Sequence, residues 1–455
     1  TVASLAPLAL GINAVYSQAK AVADVSVKNG SLIEVDGSAD LRAETTSGAG
    51  ARPLNFLKVL IPLKVDTPVA IGALYARIDA TASVQVDSGA TIKASDLSVR
   101  AHNNAKLDAS IDATPKDKSN ASSQTVSVAV GFTEADIQSR ASVGGTLDVS
   151  GKVQVVATNE GSYSNAVTSR TASNGRAAAA VAISNHVSGA TAELNANVRD
   201  ATKVSVVAIN DITKDATTSQ TTTGTTPITE IVDKLKSNVA NGIQEQLFNY
   251  LKLDLLKPKT PAANPDSPTQ VKFRLAGAVA YADSVANAKA SISGAASVHA
   301  SDSVSVVARV NAQGIINSAE SSATSNSSQS SSNSDTSQQA YSAGVAIGSY
   351  EHNALAEVGA NVTITAPRIG IYSDTRIPIR DSLLFGNTAP FDRWLGLSNI
   401  TGAIESITNV FDVFNGVSAA KAKSDESEGS IALSGSASFL KFKNTSRAVV
   451  DTGAK

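Results

Sequence analysis

Apolar and polar residues alternate with a period of two along most of this chain. From Ala288 to Ala300 each even position is apolar or glycine (Ala288, Ala290, Ile292, Gly294, Ala296, Val298, Ala300), and Lys289, Ser291, Ser293, Ser297 and His299 stand between them. That period belongs to a strand with one buried and one wet face. Ser301-Asp302-Ser303 interrupts it with side chains suited to a turn, and Val304, Val306 and Ala308 resume it. The inward residues are small, so the layer they pack against must lie close.

The same phrase recurs from Ala19 to Ala43, Ala80 to Ala101, Ala141 to Ala157, Ala190 to Ala208 and Ala354 to Ser373. Parity slips by one at Ser95-Asp96 and at Pro367-Arg368. A corner tolerates such a slip and a strand interior does not. Each copy has an apolar leader, such as Val69-Ala70-Ile71-Gly72 or Val128-Ala129-Val130-Gly131, and a run apolar on both faces predicts a strand covered on both sides. The unit is about 50 to 60 residues, with six clear copies and a seventh that starts near Ala437. Repeats of that size stack so that neighbours bury what one unit cannot. The predicted fold is all-β: a parallel β-helix solenoid of about seven units, interrupted by helical inserts. At two coils per unit and about 4.8 Å between strands, it would be a rod of roughly 65 Å. A β-sandwich array fits less well, because its domains run to about 100 residues and use larger core side chains.

Units one to four are assigned to 1–225, with an apolar insert at 49–69; a helical insert to 226–270; units five and six to 271–373, with a disordered Ser-rich loop at 321–339; an aromatic, helical insert to 374–429; and the start of unit seven to 430–455. Thr226 and Pro227 start the first helix, and Ile228, Val232, Leu235, Val239, Ile243, Leu247 and Leu251 give it an apolar stripe. A second stripe runs through Ile400, Ile404, Ile407, Val410, Phe411 and Phe414. The stretches 112–124 and 217–226 read as solvated loops. Six of the ten Phe residues and the only Trp lie in the three inserts. The favoured reading is that the helices cover an apolar strip of the rod. The other is a platform for a partner or glycan, with Phe56, Phe248, Tyr250, Phe391, Trp394, Phe411 and Phe414 as its contacts.

The net charge of −2 on 455 residues points to neither nucleic acid nor an anionic membrane. Cysteine is absent, which removes disulfides and thiolate chemistry. Methionine is absent too, even at Thr1, so the chain is expected to be a segment of a longer polypeptide. No apolar run reaches the roughly 18 residues of a membrane-spanning helix. His102, His186, His299 and His352 form no HxxxH or HExxH pair and are expected on the outer face or in solvated loops. Asp87, Asp96 and Asp302 fall at corners, where turns bonded to their own backbone explain them. No calcium loop, phosphate-binding glycine loop or nucleophile elbow is present. No Asp-Asp pair marks the clustered carboxylates of a glycan-cleaving site. No catalytic, cofactor-binding or metal-binding residue is predicted, and the chain does not read as an enzyme.

One phrase carries a resemblance: Ala-x-Val-x-Val-x-x-Gly-Ala-x-Ile-x-Ala, then Leu-x-Val-x-Ala, which stands at Ala82 to Ala101 and with variations in the other units. It resembles the β-helical repeats of large secreted bacterial adhesins, the filamentous-haemagglutinin-like and leukotoxin-type filamentous group. The resemblance implies a right-handed β-helical shaft, export to the cell surface and a role in attachment or biofilm. Its partners would be extracellular glycans, a neighbouring or host cell surface, or further copies of itself. The helical inserts depart from a plain shaft. The alternatives are a subunit of a self-assembling extracellular filament and a polysaccharide-degrading enzyme on the same fold.

Overall fold

Alternation this regular produces long strands. The computed structural model describes residues 10–51, 69–113, 126–171, 176–222, 272–324, 338–377, 418–425 and 431–455. Their elements are β1 (Leu10–Val27), β2 (Leu32–Glu34), β3 (Ser38–Ala51), β4 (Val69–Val86), β5 (Thr91–Ala94), β6 (Asp96–Ala113), β7 (Val126–Val149), β8 (Lys152–Arg170), β9 (Ala177–Thr222), β10 (Lys272–Ile292), β11 (Ser297–Ala312), β12 (Ile315–Thr324), β13 (Gln338–Val358), β14 (Thr363–Thr365), β15 (Arg368–Arg376), β16 (Ser418–Asp425) and β17 (Ile431–Val450). The fold is all-β. Among the described residues the strands pair in parallel within one 17-stranded sheet, and there is no helix.

Two ladders organise the sheet. The first joins β1, β4, β7, the first half of β9, β10, β13 and β17, and its register runs Val27, Val86, Val143, Leu194, Ile292, Val358, Val450. The second joins β3, β6, β8, the second half of β9, β11 with β12, and β15 with β16. Its register runs Ala43, Ala101, Ala157, Ala208, Ala308, Ser373, the residues that close each copy of the sequence phrase. The inner faces of the two ladders meet at one core of Ala, Val, Ile and Leu. They approach closely: a Cβ on Gly72 in β4 would stand 3.0 Å from Ile111 in β6. Small inward residues are what that spacing requires.

Each unit contributes one strand to each ladder, not two. Seven strands at about 4.8 Å span about 29 Å, less than half the predicted length. The long dimension lies along the strands instead: the 18 residues of β4 extend about 60 Å.

The two edges of the ladders differ. At one, short turns carry the chain from the first ladder to the second, with Gly30 (φ 79), Gly145 (φ 86), Gly294 (φ 69) and Asn361 (φ 62) in the left-handed region. Asp87 and Asp96 serve neighbouring units there and not their own turns. Asp87 accepts from the Asn29 amide (3.3 Å) and Asp96 from the Lys152 amide (2.8 Å). Asp302 pairs with Lys203 (3.3 Å) and Arg368. At the other edge the chain returns from the second ladder to the first, leaving at Ala51, Ala113, Thr171, Thr222, Thr324 and Asp425.

Several expectations are corrected. Residues 217–222 belong to β9, with Thr217 and Ser219 fully buried, because their hydroxyls find partners inside the core. Ser321–Thr324 and Gln338-Gln339 of the expected Ser-rich loop lie in β12 and β13. The third insert is shorter than expected, since Asp374–Arg376 end β15 and Ser418–Asp425 form β16. It grows from a bulge. Thr213 is one residue extra between Gly161/Ser162 and Ile212/Lys214, Gly314 turns the chain at the same level (φ 61), and residues 377–417 intervene there in unit six. The predicted helical stripes, the remainder of the inserts, and Phe56, Phe248, Tyr250, Phe391, Trp394, Phe411 and Phe414 lie outside the described residues.

Candidate functional site

The core holds polar side chains that alternation alone does not predict. Asn103, Asn159 and Asn210 share one register position of the second ladder, preceded by Thr45. All three asparagines are fully buried. Their amides reach across to carbonyls of the first ladder: Asn103 Nδ2 donates to Gln138 O (2.6 Å), Asn159 Nδ2 to Ile137 O (3.2 Å) and Gly189 O, and Asn210 Nδ2 to Ser188 O (3.0 Å) and Asn287 O (3.2 Å). Asn103 also donates to Asn159 Oδ1 (3.3 Å). The line ties ladder to ladder and unit to unit.

Farther along the strands, towards the edge where the chain returns to the first ladder, lies a titratable cluster. His186 Nδ1 stands 2.9 Å from Asp215 Oδ1 and its Nε2 is 3.4 Å from Thr133 Oγ1, while Tyr163 packs on the imidazole at 4.6 Å between ring centres. Ser184 joins Thr133 (3.0 Å) and Thr217 (2.7 Å). Burial alone would raise the Asp215 carboxyl, but the neighbouring His186 outweighs it and the group titrates below the ordinary carboxylate range. Burial pushes the Tyr163 and Tyr350 phenols up and the His352 imidazole down. A hydroxyl, an imidazole and a carboxylate in a row are the parts of a nucleophilic triad. Here, however, Thr133, Ser184, His186 and Asp215 are all within 1% of complete burial. No substrate carbonyl reaches Thr133, so the cluster holds the core together. His186 and His352 were expected in solvent, and both are 1% exposed. His102 is half-buried and His299 exposed, as outer-face residues are. Among the described residues no group of three or more His, Cys, Asp or Glu is arranged to hold a metal, and no helix is long and apolar enough to cross a membrane.

Two features stand out on the outer faces of the described residues, although Ala177 and Ile183 of the second are buried. One is a groove of about 380 Å³ at the short-turn edge, lined by Asn29, Gln85, Asp87, Ser142, Glu193 and Asn195 among others. It arises because Gly144-Gly145 and Asn195-Ala196 stand where the unit before has the four residues Asp87 to Ala90. It carries no aromatic ring, and its acids are already engaged: Asp87 by Gln85 (2.9 Å), Glu193 by Ser293 (2.7 Å).

The other feature is the outward side of the first ladder, over the half nearest the return edge. Register aligns Val126, Ala177, Leu275 and Tyr341 in one column; Ile71, Val128, Ala179, Gly277 and Ala343 in the next; Ala73, Val130, Val181, Val279 and Val345 in a third; and Tyr75, Phe132, Ile183, Tyr281 and Ile347 in a fourth. None is charged, and no Ser, Thr, Asn or Gln interrupts them. Rings stack along the fourth column, Tyr16 on Tyr75 at 5.3 Å and Tyr75 on Phe132 at 5.5 Å, nearly parallel. Beyond it the face turns polar at once: Arg77 pairs with Asp79 (2.9 Å) and Glu134 (3.2 Å). These columns are the leaders of the sequence repeat. Their two-faced apolarity was visible, but not that register would gather them into one surface. Phe56, Phe248, Tyr250, Phe391, Trp394, Phe411 and Phe414 lie outside the described residues.

Compared with protein-family models, curated proteins and solved structures, the chain matches none of them.

Proposed function

We propose that this chain is a structural shaft segment of a secreted or surface-anchored bacterial adhesin, built as a parallel β-helix and acting in attachment or biofilm. The observation that carries the reading is the unbroken parallel register of seven strands around a filled core, whose one triad-like cluster is sealed. Such a body holds what it carries at a fixed distance, and many weak contacts then add through effective concentration. The resemblance of the repeat phrase to secreted adhesins supports the location. Two measurements test the reading. Small-angle scattering should give a particle whose longest dimension is near 60 Å, set by strand length. Beads coated with the chain should adhere to cells or immobilised glycans. Turnover of a polysaccharide by the purified chain would sink it.

A second reading, a filament subunit, is favoured by the outermost described strands. Tyr16 and Val22 on β1, and Leu433 and Val450 on β17, are 59–69% exposed, so the outermost described strands turn apolar side chains to solvent. Lengthening with concentration would establish it.

A further inference from the structure

We propose that the notch in the short-turn edge at units three and four is a subsite for one neutral sugar ring of a glycan. The repeat shows how exceptional the notch is. Four residues join the first ladder to the second in units one, two, five and six: 28–31, 87–90, 293–296 and 359–362. Units three and four use two each, Gly144-Gly145 and Asn195-Ala196. In unit three glycine makes the short turn possible, since a Cβ on Gly145 would stand 2.2 Å from Ala90 O. Two neighbouring turns shortened together leave a groove of about 380 Å³ between the longer turns on either side. That volume falls within the roughly 300–1,000 Å³ of small-molecule sites. All these turns are among the described residues.

The lining selects the ligand. Asp87 and Glu193 accept hydrogen bonds and repel an anion, Asn29, Gln85 and Asn195 bring amides that both donate and accept, and Ser142 adds a hydroxyl. A sugar hydroxyl also does both, so a ring of adjacent hydroxyls suits this set, whereas phosphate, sulfate and uronic acids do not. The carboxylates are held in place without being used up. Asp87 Oδ1 accepts from Gln85 Nε2 (2.9 Å) and Oδ2 from the Asn29 amide (3.3 Å). Glu193 Oε1 accepts from Ser293 Oγ (2.7 Å), and Arg140 stands 3.8 Å from Oε2. A carboxylate has about four acceptor positions, so each keeps about two for a ligand while its neighbours fix its direction. Groups set in advance lower the cost of ordering on binding. With no aromatic ring in the lining a single contact is weak, and many copies on one surface add such contacts through effective concentration. The inference rests on the adhesin reading for the origin of the glycan, and on the groove alone for its chemistry.

Saturation-transfer difference NMR on the full chain tests the site, with methyl glucoside, methyl galactoside, methyl mannoside and N-acetylglucosamine as probes. At least one should bind with a millimolar dissociation constant that EDTA leaves unchanged, and glucuronic acid should show no transfer. Glu193→Gln keeps an acceptor for Ser293 and should weaken binding about fivefold, the difference between a charged and a neutral hydrogen bond. Giving unit three the four-residue turn of unit two in place of Gly144-Gly145 fills the notch and should abolish binding, with thermal melting to show that the chain still folds. Were that variant to unfold, the Glu193→Gln shift decides alone. No transfer to any neutral probe, equal transfer to glucuronic acid, or binding untouched by Glu193→Gln would each overturn the proposal. So would binding that EDTA abolishes, because a cation would then be the ligand. If no probe binds while coated beads still adhere to cells, this subsite falls and the adhesin reading stands; if a probe binds while the beads do not adhere, the subsite stands and that reading falls.

Discussion

Replacing Asp215 by alanine should destabilise the centre of the ladders more than any surface change. Asp215 Oδ1 lies 2.9 Å from His186 Nδ1 and both side chains are 2% exposed. Removing one partner of such a pair costs about 3–5 kcal/mol, most of it from the polar group left behind without its counterpart. Asp215→Asn keeps a neutral hydrogen bond and should lose about 1–3 kcal/mol. The ladders supply their own apolar control. Leu107 and Ile315 occupy the register position of Asp215, and Ile78 that of His186. The double variant His186→Ile/Asp215→Leu therefore fits shapes the core already accepts and should recover most of the loss. Urea unfolding followed by circular dichroism gives the totals, and hydrogen exchange of the β9 and β10 amides places them. A loss below about 1 kcal/mol for Asp215→Ala would refute the reasoning, as would a double variant no better than the single.

Acid should weaken the fold in two steps. The His352 imidazole is depressed by burial below 6.5, so the unfolded chain binds its proton first and stability falls as pH drops below about 6.5. His352→Gln should flatten that limb of a stability-versus-pH curve. The Asp215 carboxyl, held below 3.8 chiefly by His186, contributes stability above that value and loses it as pH falls through the folded-state pKa; Asp215→Asn should remove this second limb. Asn159→Ala abandons bonds to Ile137 O and Gly189 O and should cost about 2–6 kcal/mol, at about 1–3 per buried group left unpaired, read by urea midpoint. Gly145→Ala puts a Cβ 2.2 Å from Ala90 O at φ 86, whereas Gly30→Ala at φ 79 meets nothing within 4 Å. The second should lose only the roughly 1–2 kcal/mol of a left-handed residue, and the first clearly more, by thermal melting. Two residues inserted between Thr171 and Arg176 should leave the melting temperature within a few degrees, and one inserted after Ala190 should abolish cooperative melting, since a single-residue slip reverses every side chain beyond it.

The repeat was legible because alternation leaves its imprint on each strand separately. Ala43, Ala101, Ala157, Ala208 and Ala308, picked out as the ends of sequence copies, stand side by side in one ladder. The number of strands per unit was not legible, because an alternating run bears no mark of where it ends; β9 alone continues for 46 residues. Polar interior positions were misread for a different reason. Thr217, Ser219 and Thr221 look like a solvated run when taken alone. They are buried because Ser184 Oγ and Ala180 O, more than thirty residues earlier, wait for Thr217 and Ser219. A partner that distant leaves no local signature. The outer apolar columns lie between these cases: each leader announced two apolar faces, but only the register joins them into a surface.

The polar groups in the core resolve a weakness that the repeat itself creates. A ladder of alternating Ala and Val is almost self-similar under a slide of two residues, which keeps every inward face inward and every methyl packed. Hydrophobic burial is non-directional and scarcely distinguishes such registers. Asn159 does. Its register partner in β6 is Asn103, flanked on the same face by Ala101 and Ala105. A slide of two in either direction sets the amide beside a methyl and strands its bonds to Ile137 O and Gly189 O. His186 behaves likewise, since only one register faces it with Asp215. Each stranded group costs about 1–3 kcal/mol, against almost nothing for the sliding methyls. The Asn line and the His–Asp pair occupy two levels of the strands, so the register is pinned at two separated points along its length. On this argument the core is polar where the sequence repeats most closely, because close repetition is what makes the wrong register cheap.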